Sequence, residues 1–135
     1  MNIEQITDHL RNRTYMSGVE RDLVRVKATG EVFTPTILVQ QVLDHLDPES
    51  FKDSSKTFLD PTCGDGQFLS EVLIRKIENG STLEQALSTI FGVDLMQDNV
   101  TLCRERLLCG QEHLRHIVEK NIVCADALTY NYEFD

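Results

Sequence analysis

The sequence predicts an α/β protein built on parallel strands, with helices on both faces of the sheet. Three short apolar runs, Lys56–Asp60, Thr89–Asp94 and Asn121–Asp126, each end in an aspartate. Segments whose apolar residues recur at helical spacing separate these runs. Because strands that alternate with helices form right-handed βαβ units, we expect a three-layer sandwich.

Two helices are expected before the first strand. Apolar residues at helical spacing predict a helix over residues 3 to 12. A second helix should begin at Thr34 and Pro35, because threonine is a good N-cap and proline suits the first helical position. We expect this second helix to bury one apolar face, with Leu38 at its edge. The residues of that face are Val39, Val42, Leu43 and Leu46.

Further helices are expected between the strands. After the first strand, the segment 67–79 has a helical pattern that Gly80 should end. The tetrapeptide Ser81–Glu84 reads as a capping box that opens another short helix. After the second strand, a helix should run to Gly110 and bury one apolar face. That face consists of Val100, Cys103, Leu107 and Leu108.

The charge balance disfavours a protein that binds duplex DNA on its own. The 135 residues include 13 Lys and Arg against 22 Asp and Glu, a net charge of −9, whereas DNA binding depends on basic groups that displace counterions. The segment Arg11–Lys27 is the basic-leaning region, and it reads as a solvated face or as a nucleic-acid contact. Scattered cysteines and the lack of an apolar run long enough to span a membrane predict a cytoplasmic protein.

A glycine-rich loop after the first strand is the strongest functional signal. In parallel sheets, ligands bind beyond the carboxyl ends of the strands. Gly64 and Gly66 allow a sharp turn and a close approach of backbone to a ligand. Asp60 and Asp65 have no basic neighbour in sequence, so the loop should repel phosphate and attract an ammonium group or a ribose hydroxyl.

Two more acidic strand ends extend this pattern. A carboxylate at Asp94 can accept hydrogen bonds from both ribose hydroxyls, and Asp126 can accept one from an adenine amine. The ligand that fits these groups carries an adenosine and a positive charge but no phosphate.

Four segments together resemble the S-adenosylmethionine-binding half of class I methyltransferases. They are GEVFTP (30–35), DPTCGDGQF (60–68), GVDL (92–95) and ADAL (125–128). The likeness is to the adenine-specific DNA methyltransferases of restriction–modification systems, and it covers residues 30–135. It implies a truncated Rossmann-like methyltransferase fold. The chain then divides into an N-terminal helical segment (1–30) and a partial S-adenosylmethionine-binding domain (31–135).

The resemblance also implies a set of cofactor-binding residues. In the family, the first segment contacts the methionine part, the third binds the ribose, and the fourth reads the adenine amine. Leu95 would pack on the adenine. The residues carried over are Phe33, Thr34, Pro35, Asp60, Pro61, Cys63, Gly64, Gly66, Phe68, Asp94, Leu95, Asp126 and Ala127.

The sequence departs from the family at the catalytic step. The family's tetrapeptide of Asn or Asp, two prolines and an aromatic residue is not found, since Pro35, Pro48 and Pro61 stand apart. We therefore assign no catalytic residue and expect no methylation of DNA by the isolated chain. We expect contact with DNA only as part of a larger assembly, and we expect no membrane partner. The first strand would form an open edge, which self-association or a second chain should cover.

Simpler interpretations remain open. The loop could be a tight turn without a ligand, and Asp94 and Asp126 could be helix caps or loop residues. The spacing of Cys103, Cys109, His113 and His116 matches no common zinc pattern, so no metal is expected. Cys63 is expected to be a small buried residue rather than a nucleophile.

Three classes of function fit these observations. The first is the cofactor-binding part of a DNA adenine methyltransferase. The second is a non-catalytic protein that binds S-adenosylmethionine or inhibits a methyltransferase. The third is an oxidoreductase domain, which is disfavoured because Leu69 stands where a dinucleotide loop has its third glycine.

Overall fold

The computed structural model describes residues 1–11 and 34–132. Phe33, most of the GEVFTP segment and the basic-leaning region after Arg11 lie outside the described residues.

Three parallel strands form the sheet, and they confirm the predicted α/β, Rossmann-like class. The strands are β1 (Phe58–Asp60), β2 (Ile90–Asp94) and β3 (Ile122–Cys124). They lie in the order β1-β2-β3. Asp60 is paired with Gly92, and Asp94 with Cys124, so the acidic strand ends lie at the same edge of the sheet.

Seven α-helices are found in the described part of the chain. They are α1 (Ile3–Arg11), α2 (Thr36–Leu43), α3 (Glu49–Lys52), α4 (Gln67–Glu78), α5 (Leu83–Ser88), α6 (Gln97–Leu108) and α7 (Arg115–Asn121). A 3₁₀ turn at Glu112–Leu114 precedes α7. The helices α4 and α6 pack on the sheet, and α1 packs on both of them, while α2 packs on α4. None of the described helices has the length and apolar character needed to cross a membrane.

The predicted start and buried face of α2 were partly wrong. Pro35, not Thr34, is the N-cap residue: its backbone is extended, and its carbonyl accepts the first helical hydrogen bonds. Val39 and Leu43 are buried, whereas Val42 is 45% exposed. The helix ends at Leu43, earlier than predicted, so Leu46 lies in the turn beyond it and is 42% exposed. Because α2 packs chiefly on α4, only a narrow stripe of its surface is covered.

The helix ends between β1 and β2 follow ordinary capping rules. Gly80 (φ 107°) follows α4, and the next residue donates its N–H back to the Lys76 carbonyl, which is a Schellman motif. The capping box of α5 lies one residue later than predicted, because Thr82 and Gln85 form the reciprocal pair. The predicted apolar face of α6 is confirmed, since all four of its residues are buried.

One face of the sheet carries apolar side chains, of which Val93 is buried and the others are only partly covered. Gly92 lies on the face against α4, so the alternate residues Leu59, Phe91, Val93 and Val123 point to the other side. With Tyr130 and Tyr132 they line a groove of about 210 Å³. Leu59 is 41% exposed. Since β1 has no neighbour on its outer side among the described residues, this strand is an edge with an exposed apolar residue.

Candidate functional site

The glycine loop, residues 61–66, lies at the carboxyl ends of β1 and β2. The Cys63 N–H donates to the Val93 carbonyl (2.9 Å), and the Gly66 N–H donates to the Cys63 carbonyl (2.9 Å). Gly64 (φ 53°) and Gly66 (φ 96°) adopt left-handed conformations that favour glycine. The loop therefore makes the sharp turn into α4 that the sequence predicted.

The two glycines face different surroundings. A Cβ atom added at Gly66 would lie 3.0 Å from the Sγ of Cys103, so the loop backs onto α6 there. A Cβ atom added at Gly64 would meet nothing within 4 Å. The backbone at Gly64 is thus open on the side where a ligand could approach.

Asp94 contacts this loop directly. Its Oδ1 accepts a long hydrogen bond from the Gly64 N–H (3.3 Å). Its Oδ2 accepts from the Met96 N–H (3.0 Å) and from Nδ2 of Asn99 (3.0 Å). Asp94 therefore has the structural role of ordering the start of α6. A carboxylate has about four acceptor positions, so it retains capacity for a ligand hydroxyl.

Asp60 adds a second carboxylate beside Asp94. Its Oδ1 accepts from the Thr62 N–H (3.0 Å), which orders the start of the loop. Burial raises the pKa of Asp60 above its ordinary value, the hydrogen bonds from Thr62 oppose the rise, and the charge of Asp94 adds to it. A neighbouring positive charge would relieve both the burial and the repulsion, so this pair suits a cationic ligand.

Asp126 does not end the third strand as predicted: β3 ends at Cys124, and Asp126 and Ala127 lie in a turn just beyond it. The Oδ1 of Asp126 accepts from the Leu128 N–H (3.0 Å), and the carbonyl of Ala127 accepts from the Tyr132 hydroxyl (2.8 Å). The Ala125 N–H donates to the Asp94 carbonyl (3.0 Å), which draws this turn to the end of β2. Asp126 is exposed and also orders its own turn.

The remaining predicted residues surround the loop to different degrees. Leu95 is 68% exposed at the end of β2, while Phe68 is half-buried at the start of α4. Nε2 of Gln67 donates to Oγ1 of Thr36 (2.8 Å), which brings the start of α2 beside the start of α4. Thr34 is half-buried and Pro35 and Pro61 are exposed. The Thr34–Pro35 segment therefore leads into the helix that adjoins the loop.

Cys63 is buried, as predicted for a small packed residue. Its hydrogen bond with Cys103 and its burial raise the pKa of the thiol well above the ordinary range, so it is not an activated nucleophile. The thiol packs against Gly92, where a Cβ atom would lie 2.9 Å from Cβ of Cys63. Sequence reasoning missed this role of Gly92, although a glycine inside a strand is a signal of close approach.

The interpretation of Asp65 was wrong. No basic residue neighbours it in sequence, but Nη1 of Arg106 on α6 lies 3.7 Å from its Oδ1, and both side chains are buried. The charge of Asp65 is therefore compensated inside the protein and does not face a ligand. One sequence feature could have indicated this buried partner: Arg106 lies on the apolar face of α6, between Cys103 and Leu107.

No group of three or more possible metal ligands is found within residues 1–11 and 34–132. Cys103 and Cys109 are both buried, and burial raises the pKa of Cys109 to about 12.

A parallel sheet with a glycine loop between acidic strand ends defines a Rossmann-like domain of the methyltransferase type. Residues 22–134 match the model of a family described as N-6 DNA Methylase, and the chain belongs to that family. It is similar to the Type II methyltransferase M.VspI of Vibrio sp. (strain 343), with 31% identity over 109 residues. These residues are 78% of this chain and 22% of the Vibrio protein, so the chain spans about a fifth of that relative's length. No solved structure matches the chain.

Proposed function

We propose that the chain binds S-adenosylmethionine at the carboxyl ends of β1, β2 and β3. In this proposal it is the cofactor-binding portion of a DNA adenine methyltransferase of the restriction–modification type. The observation that carries the proposal is the open backbone of Gly64, flanked by the carboxylates of Asp60 and Asp94.

Each part of the cofactor has a chemical counterpart at this edge of the sheet. The ammonium and sulfonium charges would be attracted by Asp60. The ribose hydroxyls would donate to Asp94 and replace its long hydrogen bond from Gly64, which is the weakest of the three it accepts. The adenine would pack on exposed Leu95, and its amine would donate to Oδ2 of Asp126, the oxygen that does not accept from Leu128.

The methionine part would extend towards the start of α2, where the resemblance assigns Phe33, Thr34 and Pro35. The partly buried hydrogen bond from Gln67 to Thr36 supports a site that continues from the glycine loop to this helix. In the proposal none of the described residues has a catalytic role, and contact with DNA belongs to a larger assembly. The proposed location of the chain is the cytoplasm, where its four free cysteines stay reduced.

A titration by calorimetry tests the cofactor site. Asp94→Asn keeps the shape of the side chain but removes its charge, and a lost hydrogen bond to a charged group costs about 1.5–3 kcal/mol. We expect affinity for S-adenosylmethionine to fall by about tenfold or more. Asp44→Asn is the matched control, because it removes the same charge from an exposed side chain that pairs with Arg75.

The control should leave the affinity unchanged within about twofold. ATP should bind more weakly than S-adenosylmethionine, because Asp60 and Asp94 repel its phosphates. A parent protein that binds no S-adenosylmethionine at millimolar concentration would refute the proposal, as would equal affinities of the parent and Asp94→Asn.

We also propose that the edge of β1 is covered by another polypeptide strand, either from a second copy or from a different chain. Unpaired edge strands invite such pairing, and Leu59 is exposed beside the edge. Light scattering over a range of concentrations should show association of the parent. Leu59→Lys should shift it to the monomer, because a charge at an edge blocks pairing. A parent that stays monomeric throughout would count against self-association.

A second candidate is a non-catalytic protein that binds S-adenosylmethionine or inhibits a methyltransferase. The net charge of −9 favours it, because the chain has few groups for contact with DNA phosphates. Mixing the chain with an active adenine methyltransferase distinguishes the two. Inhibition that persists at saturating S-adenosylmethionine supports an inhibitor, whereas no inhibition supports the first proposal.

A further inference from the structure

The inner side of the glycine loop rests on one face of α6. The thiol of Cys63 is hydrogen-bonded to Cys103, and Gly66 lies directly against the same residue. The carboxylate of Asp65 faces the guanidinium of Arg106. Cys103 and Arg106 are three positions apart on α6, so they lie on the same side of that helix.

Arg106 joins three parts of the fold through one buried side chain that is 1% exposed. Its Nε donates to the Leu10 carbonyl at the end of α1 (2.9 Å), and its Nη2 donates to Oε1 of Gln67 at the start of α4 (2.9 Å). Its Nη1 lies 3.7 Å from Oδ1 of Asp65 in the glycine loop. The planar guanidinium is suited to this arrangement, because it holds several donors in a fixed geometry.

Asp65 is the residue through which Arg106 can restrain the glycine loop. It lies between two glycines in left-handed conformations, and glycine has the widest backbone freedom of any residue. Asp65 is 3% exposed, and its Oδ2 accepts no hydrogen bond from the described residues. The ion pair with Arg106 is therefore the interaction that compensates this buried charge.

We propose that Arg106 is a positioning residue for the candidate cofactor site. By holding Asp65 inward, it keeps the Gly64 backbone turned outward, and through Leu10 it links the N-terminal helix α1 to the loop. The effect on cofactor binding rests on the proposed function, whereas the effect on loop order does not.

Hydrogen exchange of the glycine loop without ligand tests the positioning role. Arg106→Met retains an apolar stem but removes the guanidinium, and Arg106→Lys keeps a charge near Asp65. We expect exchange at residues 63–66 to become tenfold or more faster than exchange in β2 for Arg106→Met. The lysine variant should show a smaller increase.

Val118→Ala is the control for a loss of stability alone. Val118 is buried on α7, which packs on α5, α6, β2 and β3. At conditions chosen for equal unfolded fractions, this variant should leave the ratio of loop to β2 exchange as in the parent. Should Arg106→Met fail to fold, Asp65→Asn takes its place, because it retains the side-chain size and removes only the charge.

The affinity for S-adenosylmethionine should fall tenfold or more in Arg106→Met and remain near the parent value in Val118→Ala. Equal loop exchange in the parent and the Arg106 variants would overturn the positioning role, as would the same loop-specific increase in Val118→Ala. A parent that binds no S-adenosylmethionine would refute the proposed function, while the exchange ratio would still decide the role of Arg106.

Discussion

Replacement of Gly92 by alanine tests the packing beneath the candidate site. The added Cβ atom would lie 2.9 Å from Cβ of Cys63 and 2.9 Å from Cδ1 of Leu69, whereas carbon atoms in contact prefer about 3.5–4.0 Å. The strand cannot retreat easily, because β2 is hydrogen-bonded to β1 and β3. Overpacking of this kind costs about 1–3 kcal/mol, and the loss of glycine flexibility returns about 0.5–1 kcal/mol.

We therefore expect Gly92→Ala to lower the free energy of unfolding by about 1–2 kcal/mol. Urea denaturation at equilibrium measures this quantity, with an unchanged slope as the sign that the unfolded state is unaffected. The melting temperature should fall by about 3–8 °C. Affinity for S-adenosylmethionine should fall as well, because the displaced Cys63 lies in the glycine loop directly before Gly64.

Gly110→Ala provides the comparison for this experiment. Gly110 has a φ of 73°, and a Cβ atom there would meet nothing within 4 Å. This variant should lose about 1 kcal/mol through backbone strain alone, with unchanged cofactor affinity. If Gly92→Ala proved as stable as the parent, the estimate of crowding against Cys63 and Leu69 would be refuted.

Three further substitutions test separate features. Burial raises the pKa of Asp60, so the folded protein loses the carboxyl proton of Asp60 at a higher pH than the unfolded chain does. The free energy of unfolding therefore falls as pH rises from about 4 through the folded pKa. Asp60→Asn should be more stable than the parent at pH 7 in urea titrations yet bind S-adenosylmethionine more weakly; lower stability would contradict this. Burial lowers the pKa of Lys76, so the parent should gain stability relative to Lys76→Met as pH rises through the folded pKa towards about 10.5. Parallel pH profiles of the two proteins would be the contrary result. Thr82→Ala removes the capping box with Gln85 and should cost about 1 kcal/mol in thermal unfolding, without a change in cofactor affinity; an unchanged melting temperature would show that the cap contributes nothing.

The features that sequence predicted well depend on local patterns. Each strand was marked by a short apolar run that ends in an aspartate, and the parallel pairing followed from the helices between them. The conformations of Gly64 and Gly66 were also predictable, because a sharp turn into a helix needs backbone that other residues rarely adopt.

The features that sequence missed depend on contacts between distant residues. The partner of Asp65 is Arg106, which comes from a helix beyond the next strand. Burial of Val42 was expected from its spacing, but helical spacing gives the direction of a face and not what covers it. Burial of Leu46 was expected on the same face, but α2 ends at Leu43, before that residue. The caps of α2 and α5 were each displaced by one residue, since Thr34, Pro35, Ser81 and Thr82 offer adjacent choices whose energies differ little.

The free edge of β1 has a consequence for how association responds to ionic strength. Two copies that each carry a charge of −9 repel one another, and dissolved ions screen that repulsion over about 8 Å at 0.15 M. Pairing of identical copies along β1 should therefore strengthen as sodium chloride is added. A basic partner at the same edge would show the opposite trend, so the sign of the salt response identifies the kind of chain that lies beside Leu59.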